Sequence, residues 1–298
     1  MPWSLFRGFL FGWRSCIIVR MNNIGIVQGR LTPRNGRSIQ FFPFDNWRNE
    51  FGMAASLGLA EIEFIFDYDR FEDNPLWTRD GRAEIRSLIA GEGVAVRTIC
   101  ADYFMAVPFF RTDKSTQDKN IVVFQKIVDA AFEIGAVRVE IPLLDNSSMK
   151  TLEEETVMID FLRNMSSVVR SAGIFINLES DLGPEKYADF LVRLGDASIG
   201  VTYDSGNSSG LGYEVRSELS VYGGRVSNVH IKDRVLGGST VPLGTGSARF
   251  DDVFGSLKET GYKGSIILQA CRGEDGKEME TVAAQKDFVT NYLNKYGF

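Results

Sequence analysis

Short apolar runs alternate with longer amphipathic segments from Ile24 to the end of the chain. The short runs are rich in β-branched residues, which favours strands, and the longer segments repeat their apolar positions with a helical period. The predicted strands are Ile24–Gln28, Glu61–Phe66, Ala95–Cys100, Val137–Ile141, Ile174–Glu179, Ser198–Tyr203, Val226–Ile231 and Ser265–Gln269. The predicted helices are Trp47–Leu57, Gly81–Ala90, Lys119–Ile134, Leu152–Ser171, Pro184–Leu194, Val215–Val221, Asp252–Thr260 and Thr281–Tyr296.

Regular alternation of strands and helices is typical of a parallel sheet built from βα units. Eight such units over about 275 residues fit one closed (β/α)8 barrel, a TIM barrel of the α/β class. A doubly wound open sheet would carry a GxGxxG turn after its first strand, and the segment VQGRLTPRNG at 27–36 has none. We therefore predict a single TIM-barrel domain over residues 21–298.

The first twenty residues differ from the rest, being aromatic and basic. Arg7, Arg14 and Arg20 interrupt each apolar run, so none approaches the ~20 residues that a membrane-spanning helix needs. No small-residue cleavage site follows, as a signal peptide would require. Residues 1–20 are interpreted as an N-terminal extension that is functionless or packs locally, with a membrane-touching segment as the alternative.

Charge and composition exclude several classes of protein. Lys and Arg number 33 against 39 Asp and Glu, so the basic excess that marks a nucleic-acid partner is missing. The single histidine, His230, excludes HExxH proteases and histidine-rich zinc clusters. The three cysteines are too scattered for a disulfide framework, which predicts reduced thiols and a cytoplasmic location without membrane attachment.

Four consecutive predicted strands carry a metal-binding side chain at or near their ends: Glu179, Asp204, His230 and Gln269. In TIM barrels the chemistry lies at the C-terminal ends of the strands, so these side chains converge. Each alone has a structural explanation, a loop cap for a carboxylate or a hydrogen-bonded core residue for the histidine. Together, their mixed oxygen and nitrogen donors suit one divalent ion, Mn²⁺, Mg²⁺, Co²⁺ or Zn²⁺, which would stabilise an enediolate.

Several motifs resemble the xylose isomerase-like TIM-barrel superfamily of sugar and sugar-phosphate isomerases and epimerases. They are INLE at 176–179, VTYDSGN at 201–207, VHIKD at 229–233 and LGTGSARFDDVFGSLKETGYKG at 243–264, and the resemblance covers roughly residues 22–296. It implies one metal ion bound through a Glu, an Asp, a His and a second Glu on strands 5 to 8. Endonuclease IV, also in this superfamily, is excluded because its three-zinc site is rich in histidine.

Gln269 departs from the family pattern, which has the second glutamate there. Epimerases of this family use the two glutamates as paired acid and base, and a glutamine can bind a metal but cannot carry a proton. We therefore predict an isomerase that acts on a sugar or sugar phosphate by 1,2-proton transfer, with Glu179 as ligand and base. The alternatives are an epimerase with Glu140 as second acid, a silent sugar-binding barrel, and a lyase or dehydratase on a polyhydroxy acid.

Two further side chains are candidates for catalysis. Lys232 shares the orientation of His230 and is predicted to stabilise developing charge, although a salt bridge with Asp204 or Asp233 would equally account for it. Glu140 lies inside an apolar strand, where a carboxylate must find a partner or reach the barrel mouth. Glu63 raises the same question, and either glutamate would supply the missing acid.

Substrate contacts are predicted for residues that follow other strands: Gln28, Cys100, Asp102 and Arg272. Cys100 is alternatively a small buried residue and Asp102 a loop cap. Arg272 lies near the glycine-containing segments LGGST and LGTGS, which would permit a phosphate site. Aromatic residues cluster at 41–47, 102–104 and 108–110, where they would stack on a sugar or cover a subunit interface, and a homo-oligomer is predicted from them.

Overall fold

The computed structural model describes residues 23–298, so the predicted extension over residues 1–20 lies outside the described residues. Eight parallel strands in the described part close into one barrel, each strand pairing with the next and the eighth with the first. Their bounds are β1 Ile24–Val27, β2 Glu61–Ile65, β3 Thr98–Cys100, β4 Arg138–Leu143, β5 Phe175–Ser180, β6 Gly200–Asp204, β7 Val226–Ile231 and β8 Ser265–Leu268. The predicted TIM barrel is confirmed.

Helices fill the connections between the strands. They are α1 Trp47–Ser56, α2 Arg79–Glu92, α3 Tyr103–Ala106, α4 Lys114–Ile134, α5 Leu152–Ala172, α6 Pro184–Leu194, α7 Ser205–Leu211, α8 Val215–Tyr222, α9 Phe250–Glu259 and α10 Glu278–Tyr296. A small antiparallel hairpin, Asp233–Arg234 with Thr240–Val241, follows β7. Across residues 23–298, none of the helices combines the length and the apolar character needed to cross a membrane.

Local capping explains where the helices differ from the prediction. The helix α4 begins at Lys114 rather than Lys119 because the Asp113 carboxylate accepts a hydrogen bond from the Thr116 backbone N–H at 2.8 Å. The helix α7 was not predicted, since its sequence SGNSSGL has low helix propensity. It forms because Asp204 caps it, accepting hydrogen bonds from two backbone N–H groups at 2.8 Å.

Alternate residues of each strand face the helices and the barrel interior. Phe64 of β2 points outward, where its ring packs at 6.1 Å from that of Trp47 on α1. Its neighbour Glu63 points inward and accepts a hydrogen bond from Asn228 of β7 on another side of the barrel. The outer layer is thus an ordinary apolar core, whereas the interior carries buried polar groups.

The predicted loop aromatics are mostly buried within the chain. Phe42, Tyr103, Phe104 and Phe110 are each at most 2% exposed and belong to the apolar core. Their interpretation as sugar-stacking or subunit-covering groups is therefore wrong. The homo-oligomer stays a prediction without their support.

The loop after β1 is held over the barrel mouth by one buried carboxylate. Glu50 of α1 accepts hydrogen bonds from the backbone N–H groups of Gly29 and Leu31 at 2.9 and 3.2 Å, and from the Thr32 hydroxyl at 3.0 Å. Burial raises the pKa of Glu50 to about 7, against the opposing effect of these hydrogen bonds. The Glu50 carboxyl group thus orders the loop after β1, which contains Gln40.

Replacing Glu50 with glutamine should change how stability depends on pH. The folded protein keeps the Glu50 proton up to about pH 7, whereas the unfolded chain releases it near its ordinary value of 4.5. The stabilisation from this group is therefore complete below the unfolded pKa and is lost as pH rises through the folded pKa. Relative to Glu50→Gln, wild type should lose up to about 3 kcal/mol of unfolding free energy between pH 4.5 and 7.5.

Urea unfolding of both proteins at several pH values measures this difference, with the exposed Glu259→Gln as a charge-matched control. A gap between wild type and Glu50→Gln that stays constant over this range would show that the folded protein does not raise the pKa of Glu50.

Candidate active site

A buried polar cluster fixes the single imidazole inside the barrel. His230 is fully buried, and its Nε2 lies 2.8 Å from Glu63 Oε1 and 3.7 Å from Glu140 Oε2. Asn228 donates to both carboxylates, at 2.7 and 3.2 Å, and the Thr202 hydroxyl donates to Glu140. Because Nε2 faces the Glu63 carboxylate, we assign its hydrogen there, which directs Nδ1 toward the barrel mouth.

Two more carboxylates approach His230 from the mouth. Glu179 Oε2 lies 3.9 Å and Asp204 Oδ2 4.0 Å from Nδ1, which has no hydrogen-bond partner among residues 23–298. Burial raises the pKa of Glu179 well above its ordinary value, and Asp204 raises it further. Burial alone would lower the pKa of His230, but the Glu63 and Glu140 carboxylates outweigh it and raise that pKa. The carboxylates around His230 therefore favour positive charge next to its Nδ1.

The Lys232 side chain bridges two of the candidate metal ligands, Asp204 and Gln269. Its ammonium donates to Asp204 Oδ2 at 2.8 Å and to Gln269 Oε1 at 2.6 Å. Burial tends to raise the pKa of Asp204, yet the ammonium and His230 hold it below its ordinary value. Of the two partners predicted for Lys232, Asp204 is the one it binds, because Asp233 is occupied by the backbone N–H groups of Gly244 and Gly246.

The side chains of Glu179, Asp204, His230 and Gln269 fit a divalent ion. Nδ1 of His230 is unpartnered within the described residues, and a carboxylate orients the opposite ring nitrogen, as is usual for metal-binding histidines. Ligand atoms of Glu140, Glu179 and His230 lie within 4.8 Å of one another. Since Lys232 already holds oxygens of Asp204 and Gln269, a metal ion would compete with an ammonium for both.

A cavity of about 450 Å³ opens above this cluster at the C-terminal ends of the strands. It is lined by Ser38, Ile39, Gln40, Asp67, Asp102, Met105, Ala106, Pro142, Leu144, Asp145, Glu179, Asp181, Asn207, Leu211, Lys232, Arg234 and Gln269. Five of these residues carry carboxylates and two carry cations. The Arg234 guanidinium is already used, donating to the Gly238 carbonyl at 2.8 Å and to Asn207 Oδ1 at 3.1 Å.

The structure brings part of the predicted set to this cavity. Glu179, Lys232, Gln269 and Asp102 line it, and Asp204 and His230 lie next to them. Glu140 does not line it: its carboxylate lies beside Nε2 of His230, where Thr202 and Asn228 supply the partners that burial requires.

Gln28, Cys100 and Arg272 are not among the cavity-lining residues. Gln28 is buried and accepts a hydrogen bond from the Ile65 backbone N–H at 3.1 Å, and Cys100 is buried beside Asp102. Arg272 donates to the backbone carbonyls of Ile39 and Thr32, both at 2.8 Å. It therefore holds the loop after β1, and a substrate contact for these three residues stays a prediction.

Two site residues were missed. Gln40 donates to Asp102 Oδ2 at 2.7 Å and accepts from Gln269 Nε2 at 3.0 Å. It lies in a long irregular loop whose path no local pattern predicts. Asn207 donates to Glu179 Oε1 at 2.6 Å, and its position three residues after Asp204 on a helical turn was a usable signal.

The family model described as xylose isomerase-like TIM barrel matches residues 51–291. The chain belongs to this family. The resemblance inferred from the strand-end motifs is thereby confirmed for most of the barrel.

The xylose isomerase-like barrel is similar to proteins that are named as sugar epimerases. L-ribulose-5-phosphate 3-epimerase UlaE of Salmonella typhi is 23% identical over 84% of this chain and 91% of that protein. A D-allulose 3-epimerase structure from Methylomonas sp. matches with a TM-score of 0.72 at 18% identity, covering 92% and 98% of the two chains. The IolI protein with a bound zinc atom matches with a TM-score of 0.73 at 18% identity, covering 92% and 99%.

Replacing Gly206 with alanine should create a steric clash with Lys232 that destabilises the fold. A Cβ atom there would lie 2.5 Å from Cγ and 2.7 Å from Cβ of Lys232, too near the backbone end of that side chain for it to move aside. We expect a net loss of about 1–3 kcal/mol in unfolding free energy, despite the better helix propensity of alanine. Urea unfolding measures it.

Gly210→Ala, in the same helix, is the matched control. Its Cβ would come no closer to Arg234 than 3.0 Å from Nε and 3.3 Å from Cβ, against 2.5 Å for the contact at Gly206, so that variant should stay within about 1 kcal/mol of wild type. Equal effects of the two substitutions would show that Lys232 is not confined by Gly206.

Proposed function

We propose that this chain is a divalent-metal-dependent sugar epimerase that moves a proton at a carbon next to a carbonyl group. The observation that carries the proposal is the approach of Glu179 and Asp204 to the unpartnered Nδ1 of His230, beside a cavity that Glu179 lines. Relatives named as ketose 3-epimerases support C3 of a ketose as the reacting carbon.

Glu179 acts as the base in this proposal. Its buried carboxylate has a raised pKa and is therefore a stronger base than an exposed one. Asn207 holds one of its oxygens and so sets the direction of the carboxylate. The Lys232 ammonium, at the same cavity, stabilises negative charge that develops on a substrate oxygen. Glu179, Asp204, His230 and Gln269 would hold the metal ion, which supplies Lewis-acid stabilisation of that charge.

Aldose–ketose isomerisation is the second candidate. Gln269 favours it, because one base suffices to move a proton between adjacent carbons on one face of an enediolate. A silent sugar-binding barrel and a lyase or dehydratase are outcomes that the same experiments identify.

The charge of the cavity favours an unphosphorylated sugar. Five carboxylates line it against two cations, and Lys232 and Arg234 are both already bound to neighbouring groups. A phosphate dianion would meet net negative charge without a free cation among the described lining residues. A neutral ketose, with hydroxyl groups that donate to carboxylates, suits this lining better.

Incubation with ketoses in D₂O and Mn²⁺ tests the proton transfer. We expect deuterium at C3 and formation of the 3-epimer with D-allulose or L-ribulose, and a lower kcat/KM with L-ribulose 5-phosphate than with L-ribulose. Glu179→Gln should lower exchange by roughly 10²–10⁴-fold, because the amide cannot accept the proton.

NMR and mass spectrometry identify the products and locate the deuterium. An aldose in place of the 3-epimer would select the isomerase, and a new conjugated absorbance would select the dehydratase. Sugar binding without any deuterium exchange would leave only the silent binder. Higher kcat/KM with the phosphate would contradict the charge argument.

Metal binding is expected at about one Mn²⁺ per chain after chelation and reloading, and it should be lost in Glu179→Ala. Lys232→Met should bind Mn²⁺ at least about tenfold more tightly, because the competing ammonium is removed from Asp204 and Gln269.

Elemental analysis and calorimetry measure stoichiometry and affinity, with Lys263→Met, an exposed lysine before β8, as the charge-matched control. Wild type without bound Mn²⁺ would overturn the metal site. Equal or weaker Mn²⁺ binding by Lys232→Met would show that the ammonium does not compete.

A further inference from the structure

We infer that Asp102 is the second proton-transfer residue of the epimerisation, acting on the face of the reacting carbon opposite Glu179. This inference rests on the proposed function and replaces both Gln269 and Glu140 in that role. It is carried by the position of Asp102 just past the end of β3, its place on the cavity wall, and the contacts of its carboxylate.

Asp102 lies just beyond the C-terminal end of β3, at the same end of the barrel as Glu179 of β5. Cys100 of β3 pairs with Glu140 of β4, and Pro142 of β4 pairs with Glu179 of β5. The pairing continues past β3, since the Ala101 backbone N–H donates to the Glu140 carbonyl at 2.9 Å. Asp102 follows Ala101 directly, at the start of α3, and its carboxylate and that of Glu179 line the same cavity.

The two carboxylates belong to different walls of that cavity. Glu179 is bound to Asn207, on the β5–β6 side. Asp102 is bound to Gln40, which comes from the loop after β1, and Gln40 in turn is bound to Gln269 at the end of β8. Asp102 follows β3, two strands from β5, and Gln269 follows β8, three strands from β5 on the other side, so the hydrogen-bonded group that Gln40 bridges spans the part of the wall away from Glu179.

The Asp102 carboxylate is not used for capping. It precedes α3, yet its side chain makes no cap hydrogen bond to that helix. It accepts hydrogen bonds only from Gln40 Nε2 at 2.7 Å and the Cys100 thiol at 3.2 Å among the described residues. Burial raises the pKa of Asp102 to about 6, near the working range of an acid or base at neutral pH.

The other carboxyl groups are less suited to this role. Glu140 is fully buried beside Nε2 of His230 and does not line the cavity. Asp67 also lines the cavity but follows β2, and its carboxylate accepts a hydrogen bond from the backbone N–H of Tyr68 at 2.7 Å. The matched control is Asp160, an exposed aspartate of α5 that does not line the cavity.

The proton transfers balance as follows. The Glu179 carboxylate takes the proton from C3; the C–H bond breaks, its electron pair forms the enediolate, and Glu179 becomes a carboxylic acid. The Asp102 carboxylic acid then gives its proton to the opposite face of C3, where the new C–H bond forms, and Asp102 becomes a carboxylate. The return of Glu179 and Asp102 to their starting states needs only proton exchange with water.

Asp102→Asn and Asp160→Asn are compared with wild type in D₂O with Mn²⁺ and D-allulose. Asp102→Asn should lower epimer formation by roughly 10²–10⁴-fold while substrate recovered from the reaction still gains deuterium at C3 through Glu179. Asp160→Asn should remain within about threefold of wild type in both measurements, a change worth less than 1 kcal/mol, because Asp160 is exposed on α5 and does not line the cavity. Circular dichroism and Mn²⁺ stoichiometry verify that the variants are folded and loaded.

The outcomes separate this inference from the function on which it rests. Wild type that exchanges no deuterium with any ketose overturns the proposed function. Wild type that epimerises, together with Asp102→Asn that epimerises equally well, overturns only the role of Asp102. Equal loss of exchange and epimerisation in a folded, metal-loaded Asp102→Asn also overturns it, because that result marks a structural residue.

Discussion

Buried negative charge around one imidazole is the constraint on which the rest of this structure depends. Glu63, Glu140, Glu179 and Asp204 all direct carboxylate oxygens within 4.0 Å of His230, inside a barrel that excludes water. Buried charges are costly unless they are paired and hydrogen-bonded. The interior meets this requirement with an amide, a hydroxyl, the imidazole and the Lys232 ammonium.

The same constraint divides the cluster into two layers. In the inner layer, Glu63 and Glu140 share the Asn228 amide and fix Nε2 of His230, so these carboxylates serve to orient the ring. In the outer layer, Glu179 and Asp204 approach Nδ1 and border the cavity. Glu140, in the inner layer, does not line the cavity, which is why we propose Asp102 in its place as the acid.

Gln269 changes the charge of the site but not its architecture. A glutamate at position 269 would place another negative charge beside the Lys232 ammonium. The neutral amide of Gln269 instead binds Lys232 through its oxygen and Gln40 through its nitrogen. The amide thereby links the loop after β1 to the mouth and positions Gln40 against Asp102. The departure from the family pattern is thus accommodated by a hydrogen-bonded wall in which Asp102 carries the remaining carboxyl group.

The sequence by itself determined the barrel, its strand order and the candidates Glu179, Asp204, His230 and Gln269, because strand periodicity and strand ends are local properties. It also predicted α6 with its observed bounds, since proline begins that helix and glycine ends it. Only the tertiary structure decided which side of His230 each carboxylate occupies, that Arg272 binds backbone carbonyls, and that Gln40 crosses the mouth to Asp102. These contacts join residues far apart in the chain, such as Gln40 and Asp102, which are 62 positions apart, and Arg272 and Thr32, which are 240 positions apart, and no local pattern encodes them.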